Sequence, residues 1–184
     1  MMTKAFKAIL APAALIGMAA CSPSGESEEI AVEDTSNETL ATLIGGASDL
    51  STASSILSDA GLQSLFDGST PYSLFAPNDA AFAAADLSLG NAEDRAIRVA
   101  VLREHIVPGY LTVEDIVTAI ESGGGSVEMQ TMGSNTLTFS GDADKLVVRS
   151  SDGAEATLAS PAMTGANGTV FPIDGVLKSL DAPG

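Results

Sequence analysis

One histidine, one cysteine and a scatter of aspartates are the residues of this 184-residue chain best suited to chemistry. His105 could act as a general base or a metal ligand, but either role needs a second His, a Cys or a patterned carboxylate beside it. The sequence around it supplies none. Standing just before the apolar pair Ile106-Val107, it reads as a core histidine whose ring nitrogens are satisfied internally. Asp142-Ala143-Asp144 and Asp152-Gly153 lack the D-x-[DN]-x-[DN]-G frame of a calcium loop and read as turns. Ser54-Ser55, Ser150-Ser151 and the triplet Gly123-Gly124-Gly125 fit neither a nucleophile elbow nor a phosphate-binding loop. The expectation is a protein that is not an enzyme, with no metal and no cofactor.

Cys21 is the sole cysteine, which excludes an intramolecular disulfide and a multi-cysteine metal site. Lys4 and Lys7 precede an apolar run from Ala8 to Ala20. That run is shorter than the roughly 20 residues of a membrane span but has the length of a signal-peptide core. Its end, Met18-Ala19-Ala20-Cys21, resembles the lipobox of bacterial lipoproteins, with Met18 where a leucine-like residue is usual. The resemblance implies that residues 1–20 are removed and Cys21 is lipidated. Two or more acyl chains, at roughly 0.8 kcal/mol per buried CH₂, would hold it stably at a membrane. Ser22 after the cysteine resembles the sorting pattern for the outer membrane. The expected location is therefore the cell envelope, with the domain facing the periplasm or the cell surface.

The net charge is -16, and cleavage after Ala20 removes two lysines and no acid. So acidic a surface repels phosphate backbones and anionic headgroups, so no nucleic-acid partner is expected, and the membrane is met only through the lipidated N-terminus. Residues 21–38 are rich in Ser and acid, with Ile30 and Val32 their only large apolar side chains, and read as a flexible tether. The rest suits one domain. With no Trp, two Tyr and six Phe, its core must come mainly from Ala, Leu, Val and Ile.

The elements follow from periodicity. Leu40, Leu43 and Ile44, then Ile56 and Leu57, then Leu62, Leu65 and Phe66 predict two or three short helices. Tyr72 to Ala76 predicts a strand that Pro77 stops, because proline has no N–H to give a ladder. Asn78 then caps a helix that carries Asp79 in its first turn, and Phe82 can close over Pro77 as a hydrophobic staple. Asn91 with Asp94, and Thr112 with Asp115, predict capping boxes for two further helices. The first of these helices runs through Ile97, Ala100, Val101, Leu102 and Ile106, and the second through Val113, Ile116, Val117 and Ile120. Past Gly125 the period changes to two, predicting an antiparallel sheet system separated by turns such as Gly141-Asp142 and Asn167-Gly168. Helices first and strands afterwards give an α+β domain.

Three stretches carry a resemblance. YSLFAPNDAAF (Tyr72 to Phe82) and NGTVFPIDGVL (Asn167 to Leu177) resemble the two conserved blocks of the fasciclin domain, and LREHIVPG (Leu102 to Gly109) is similar to the segment between them. The resemblance covers residues 39–181 and implies a compact α+β fold, a helical layer on two β-sheets forming a wedge or sandwich. Its signature residues are Phe75, Ala76, Pro77, Asn78, Phe82, His105, Pro108, Gly109, Asn167, Gly168, Ile173, Asp174, Gly175 and Leu177. Asp174, before Gly175, reads as a structural acceptor rather than a catalytic acid. The chain departs from the family at two points. The Tyr-His pair linked to adhesion in animal members is Glu104-His105 here, and the second block's usual His is Phe171, followed by Pro172.

The function this implies is a non-enzymatic adhesion or interaction module binding a surface polymer, a matrix component or an envelope protein. Its partner would be a protein or polysaccharide at the cell surface. An alternative, drawn from fasciclin proteins that bind carotenoids, is carriage of a small apolar ligand such as a carotenoid or lipid, with Met129, Met132 and Met163 as adaptable contacts, although methionines in such strands more often fill the core.

Overall fold

The computed structural model describes residues 37–85 and 95–178. Cys21, the signal segment, most of the tether and the Asn91-Asp94 box lie outside the described residues. Six helices and eight strands follow one another within that span. The first group is α1 (Leu40–Gly46), α2 (Ser51–Ala60), α3 (Gln63–Phe66), β1 (Tyr72–Pro77), α4 (Asp79–Ala84) and α5 (Arg95–Arg103). Then come β2 (Ile106–Pro108), α6 (Val113–Ser122), β3 (Ser126–Gln130), β4 (Thr136–Gly141), β5 (Leu146–Ser150), β6 (Glu155–Thr157), β7 (Met163–Gly165) and β8 (Gly168–Ile173). This is the expected α+β architecture, with two four-stranded sheets ordered β2-β1-β8-β7 and β3-β4-β5-β6.

The strand system is not wholly antiparallel. β1 and β8 pair in parallel from Tyr72↔Gly168 to Pro77↔Ile173, at the centre of the first sheet. The ladder also reaches Pro77 rather than stopping at Ala76. Strand N–H groups point to alternate neighbours. Phe75 donates to His105 on the β2 side, whereas Tyr72 and Asn78 donate to Asn167 and Ile173 on the β8 side. Pro77 shares the orientation of Phe75, and β2 pairs with β1 only as far as Leu74. Its missing N–H thus falls where no strand remains to accept one. The same holds for Pro172: β7 pairs with β8 only up to Val170, and the carbonyl of Pro172 takes Ala159 N–H instead.

The first sheet is covered on both faces, so all six residues of β8 are buried. Leu74, Ala76 and Val170 face the helices, where they join Leu40, Ile44, Leu57 and Phe66. Phe75, Phe171 and Ile173 face the second sheet and α6, meeting Leu137, Phe139, Ile116 and Ile120. Phe75 stacks on Phe171 with ring centroids 4.7 Å apart and meets Phe139 at 5.0 Å. Each fully buried phenylalanine contributes about 1.5–3 kcal/mol by burial, and the aromatic pairs add about 0.5–1.5 kcal/mol each.

Helix α5 ends earlier and faces differently than its periodicity suggests. Arg103 is its last residue and Ile106 belongs to β2, while Ile97 is 53% exposed. Val101 and Leu102 carry the buried face, and the chain must leave the helix before Ile106-Val107-Pro108 can pair with β1. Helix α6 begins with the expected capping box between Thr112 and Asp115.

Candidate functional site

The signature residues form a set of ties between distant segments, several of them buried. His105 is fully buried; its Nδ1 lies 2.8 Å from the Val101 carbonyl, and its Nε2 accepts from Leu177 N–H at 2.8 Å. Because Nε2 accepts, the proton sits on Nδ1 and donates to Val101. Burial pushes its pKa down to about 4, against the opposing pull of the Val101 carbonyl and the charges of Glu104 and Asp152. The imidazole is thus a neutral brace between α5 and the segment after β8.

Asn167 is a second brace. Its Oδ1 accepts from Leu40 N–H at 2.8 Å, and its Nδ2 donates to the carbonyls of Phe66 and Gly68 at 2.6 and 2.7 Å. Gly168 follows at φ +146, and a Cβ there would stand 1.8 Å from the Tyr72 carbonyl oxygen, so only glycine lets β8 lie this close to β1. Asp174 accepts from the Thr157 N–H and hydroxyl, both at 2.6 Å, joining the end of β8 to β6 of the other sheet. A Cβ at Gly175 would come within 2.8 Å of the Glu155 carbonyl oxygen. Leu177 and Ile173 lie in the inter-sheet core.

The first block behaves likewise. Asn78 caps α4 by accepting from Ala81 N–H at 2.8 Å. Asp79 caps α2 as well as standing in its own first turn: it accepts from Thr52 N–H at 2.8 Å and the Ser51 hydroxyl at 2.7 Å. Burial would raise its pKa, but these bonds from Thr52 and Ser51 lower it. Pro108 pairs with Tyr72, and Gly109, at φ +114, turns the chain so that its carbonyl accepts from the Ser73 hydroxyl at 2.9 Å. Pro77, Phe82 and His105 border a void of about 10 Å³, too small for a ligand.

Glu104, noted in the sequence only as a departure from the family, is itself such a tie. It is 4% exposed and accepts from Ser134 N–H (3.0 Å), the Ser134 hydroxyl (2.9 Å), Asn135 N–H (2.9 Å) and the Thr131 hydroxyl (2.9 Å). Burial alone would raise its pKa, and the four hydrogen bonds outweigh that and lower it. A Cβ at Gly133 would lie 2.3 Å from the Glu104 carboxyl carbon. The glycine of the Gly133-Ser134-Asn135 turn thus makes room for the carboxylate, a pairing across about thirty residues that no local pattern announces.

Room for a ligand lies elsewhere. A cleft of about 310 Å³ opens between the first two turns of α6 and the β7–β8 edge. Val113 and Val117, one turn apart, form one wall, and Leu158, Ala162, Thr164 and Thr169 form the opposite side. Glu114, Thr118 and Ala143 are exposed and line its mouth. Thr169 is fully buried, and its hydroxyl has no hydrogen-bond partner among the described residues. Met129, Met132 and Met163 do not line this cleft; they pack against the two cores, in the filler role expected of methionines in such strands, and not as ligand contacts. Among the described residues no group of three or more His, Cys, Asp or Glu is placed to hold a metal ion, and no helix is long and apolar enough to cross a membrane.

No curated protein matches the sequence. Among solved structures, the chain is similar to a FAS1 domain pair from the insect cell adhesion molecule Fasciclin I, with a TM-score of 0.66 at 17% identity. The match covers 78% of this chain and 52% of that one, so the chain spans about half the length of that domain pair. At this identity the likeness is one of fold. The family model described as "Fasciclin domain" matches residues 48–179, the span that holds the braces of His105, Asn167 and Asp174. With well over half of its length so matched, the chain belongs to the fasciclin domain family.

Proposed function

We propose that this protein is a non-enzymatic interaction module of the cell envelope, held to the membrane by lipidated Cys21 and carried on the acidic tether of residues 21–38. Its partner is a surface polysaccharide, a matrix component or an envelope protein. The observation that carries this reading is family membership across residues 48–179, because fasciclin domains are generally adhesion-related modules. A net charge of -16 supports a partner other than nucleic acid. Mass spectrometry of the mature N-terminus should find Cys21 acylated, and an unmodified Cys21 or Ser22 terminus refutes the anchor. Deleting the gene should weaken cell aggregation, biofilm formation or surface attachment; unchanged behaviour in all three refutes the adhesive role.

The cleft beside α6 favours a second reading, carriage of a small apolar ligand such as a lipid. Its volume of about 310 Å³ lies at the lower end of the roughly 300–1,000 Å³ of small-molecule sites, which suits a compact molecule better than an extended carotenoid. Organic extraction of the natively purified protein, followed by mass spectrometry, should recover a stoichiometric small molecule; an extract without one refutes carriage.

A further inference from the structure

Resting on the small-ligand reading of the α6 cleft, we infer that its ligand is a compact apolar molecule bearing one neutral hydrogen-bonding group, held with that group inward against Thr169. Two independent observations converge on this. The cleft walls are built from Val113, Val117, Leu158 and Ala162, which reward an apolar body. At its inner side stands a buried hydroxyl with no partner among the described residues.

A hydroxyl buried without a partner is destabilising, and apolar clefts owe their specificity to such sparse polar groups. Valine would fill the same space without that cost. The neighbouring buried hydroxyl of Ser73, across the ladder from Thr169, is by contrast fully used: it donates to the Gly109 carbonyl and accepts from Leu111 N–H. Thr164, the other partner of Thr169, also lines the cleft, so the polar end is a small threonine patch set in an apolar wall.

Charge decides the class of head group. Glu114 lines the mouth, and the chain carries a net charge of -16. A carboxylate or phosphate would enter against that potential and lose its hydration inside an apolar wall that offers no cation. An alcohol, phenol, ketone or amide meets neither penalty.

The test uses three probes of matched shape on the purified mature protein: para-butylphenol, para-butyltoluene and para-butylbenzoate. Binding is read from methyl NMR shifts of Val113, Val117 and Leu158, with Ala162→Phe to fill the cleft and Thr169→Val to remove the hydroxyl. The phenol should saturate these shifts with a Kd below about 1 mM, and Ala162→Phe should abolish them. Thr169→Val should weaken the phenol about tenfold, the effect of one hydrogen bond, and leave the toluene unchanged. The benzoate should bind more weakly than the phenol. If no probe gives saturable shifts at these methyls, the small-ligand reading falls and the inference falls with it. If phenol and toluene bind alike, and equally in Thr169→Val, the cleft remains a ligand site but Thr169 does not select the ligand. A benzoate that binds at least as tightly as the phenol overturns the neutral head group.

Discussion

The signature residues and the α6 cleft share one strand and treat its polar groups in opposite ways. Around His105 and Asn167 every ring nitrogen and amide atom has a backbone partner, and the nearest void holds about 10 Å³. Two residues beyond Asn167, Thr169 is equally buried, yet its hydroxyl has no partner among the described residues and stands in the wall of a cleft of about 310 Å³. The first arrangement fixes a fold and leaves no room for anything else. The second gives up stability at a place where a molecule could enter. The residues that identify this family and those that line the cleft are therefore largely different sets.

The contrast can be broken most severely at Asn167. Asn167→Ala strands three backbone groups, Leu40 N–H and the carbonyls of Phe66 and Gly68, and should cost about 3–5 kcal/mol by urea unfolding. A loss under about 1 kcal/mol would mean that water replaces the amide and that the brace is incidental.

The next effect is one of pH. His105 titrates near 4 in the folded protein and near 6.5 when unfolded. Above pH 6.5 it is neutral in both states and its contribution is complete. As pH falls from 6.5 towards 4 the unfolded chain binds a proton that the native chain does not, so about 3 kcal/mol of stability is lost over that window. Relief of acidic repulsion acts in the other direction, so the imidazole itself is the better observable. It is the only histidine, and its NMR titration should show a midpoint near 4. A midpoint near 6.5 would contradict the buried, neutral brace.

A smaller loss is expected from Asp79→Ala, about 1–2 kcal/mol, because the carboxylate caps α2, whose own N-cap Leu50 makes no side-chain bond. Asp79→Asn, which keeps an acceptor, should restore most of it; equal losses in the two variants would assign the effect to charge rather than to capping. Smallest of all, Thr169→Val should leave stability within about 1 kcal/mol of wild type, on the stabilising side. A clear destabilisation would reveal a partner for that hydroxyl and remove the distinction between the two regions.

The sequence by itself determined whatever is encoded within a few residues. The Asn78 cap and the Thr112-Asp115 box are written as short motifs, and the change of period past Gly125 separates helices from strands. The paired blocks at Tyr72 and Asn167 were enough to imply the family, because each demands special residues such as Gly168 at fixed places. Tertiary structure alone decided what depends on distant segments meeting. The parallel pairing of β1 with β8 joins strands about a hundred residues apart, and the short reach of β2 and β7 on their outer sides explains why Pro77 and Pro172 are tolerated inside them. Glu104 gained four donors from a turn about thirty residues away. The cleft belongs to this second class, since a void is defined by which surfaces fail to meet, and Thr169 in a fully buried strand reads locally as one more core position. Periodicity records which way a side chain faces along its own element; it carries no record of what stands opposite.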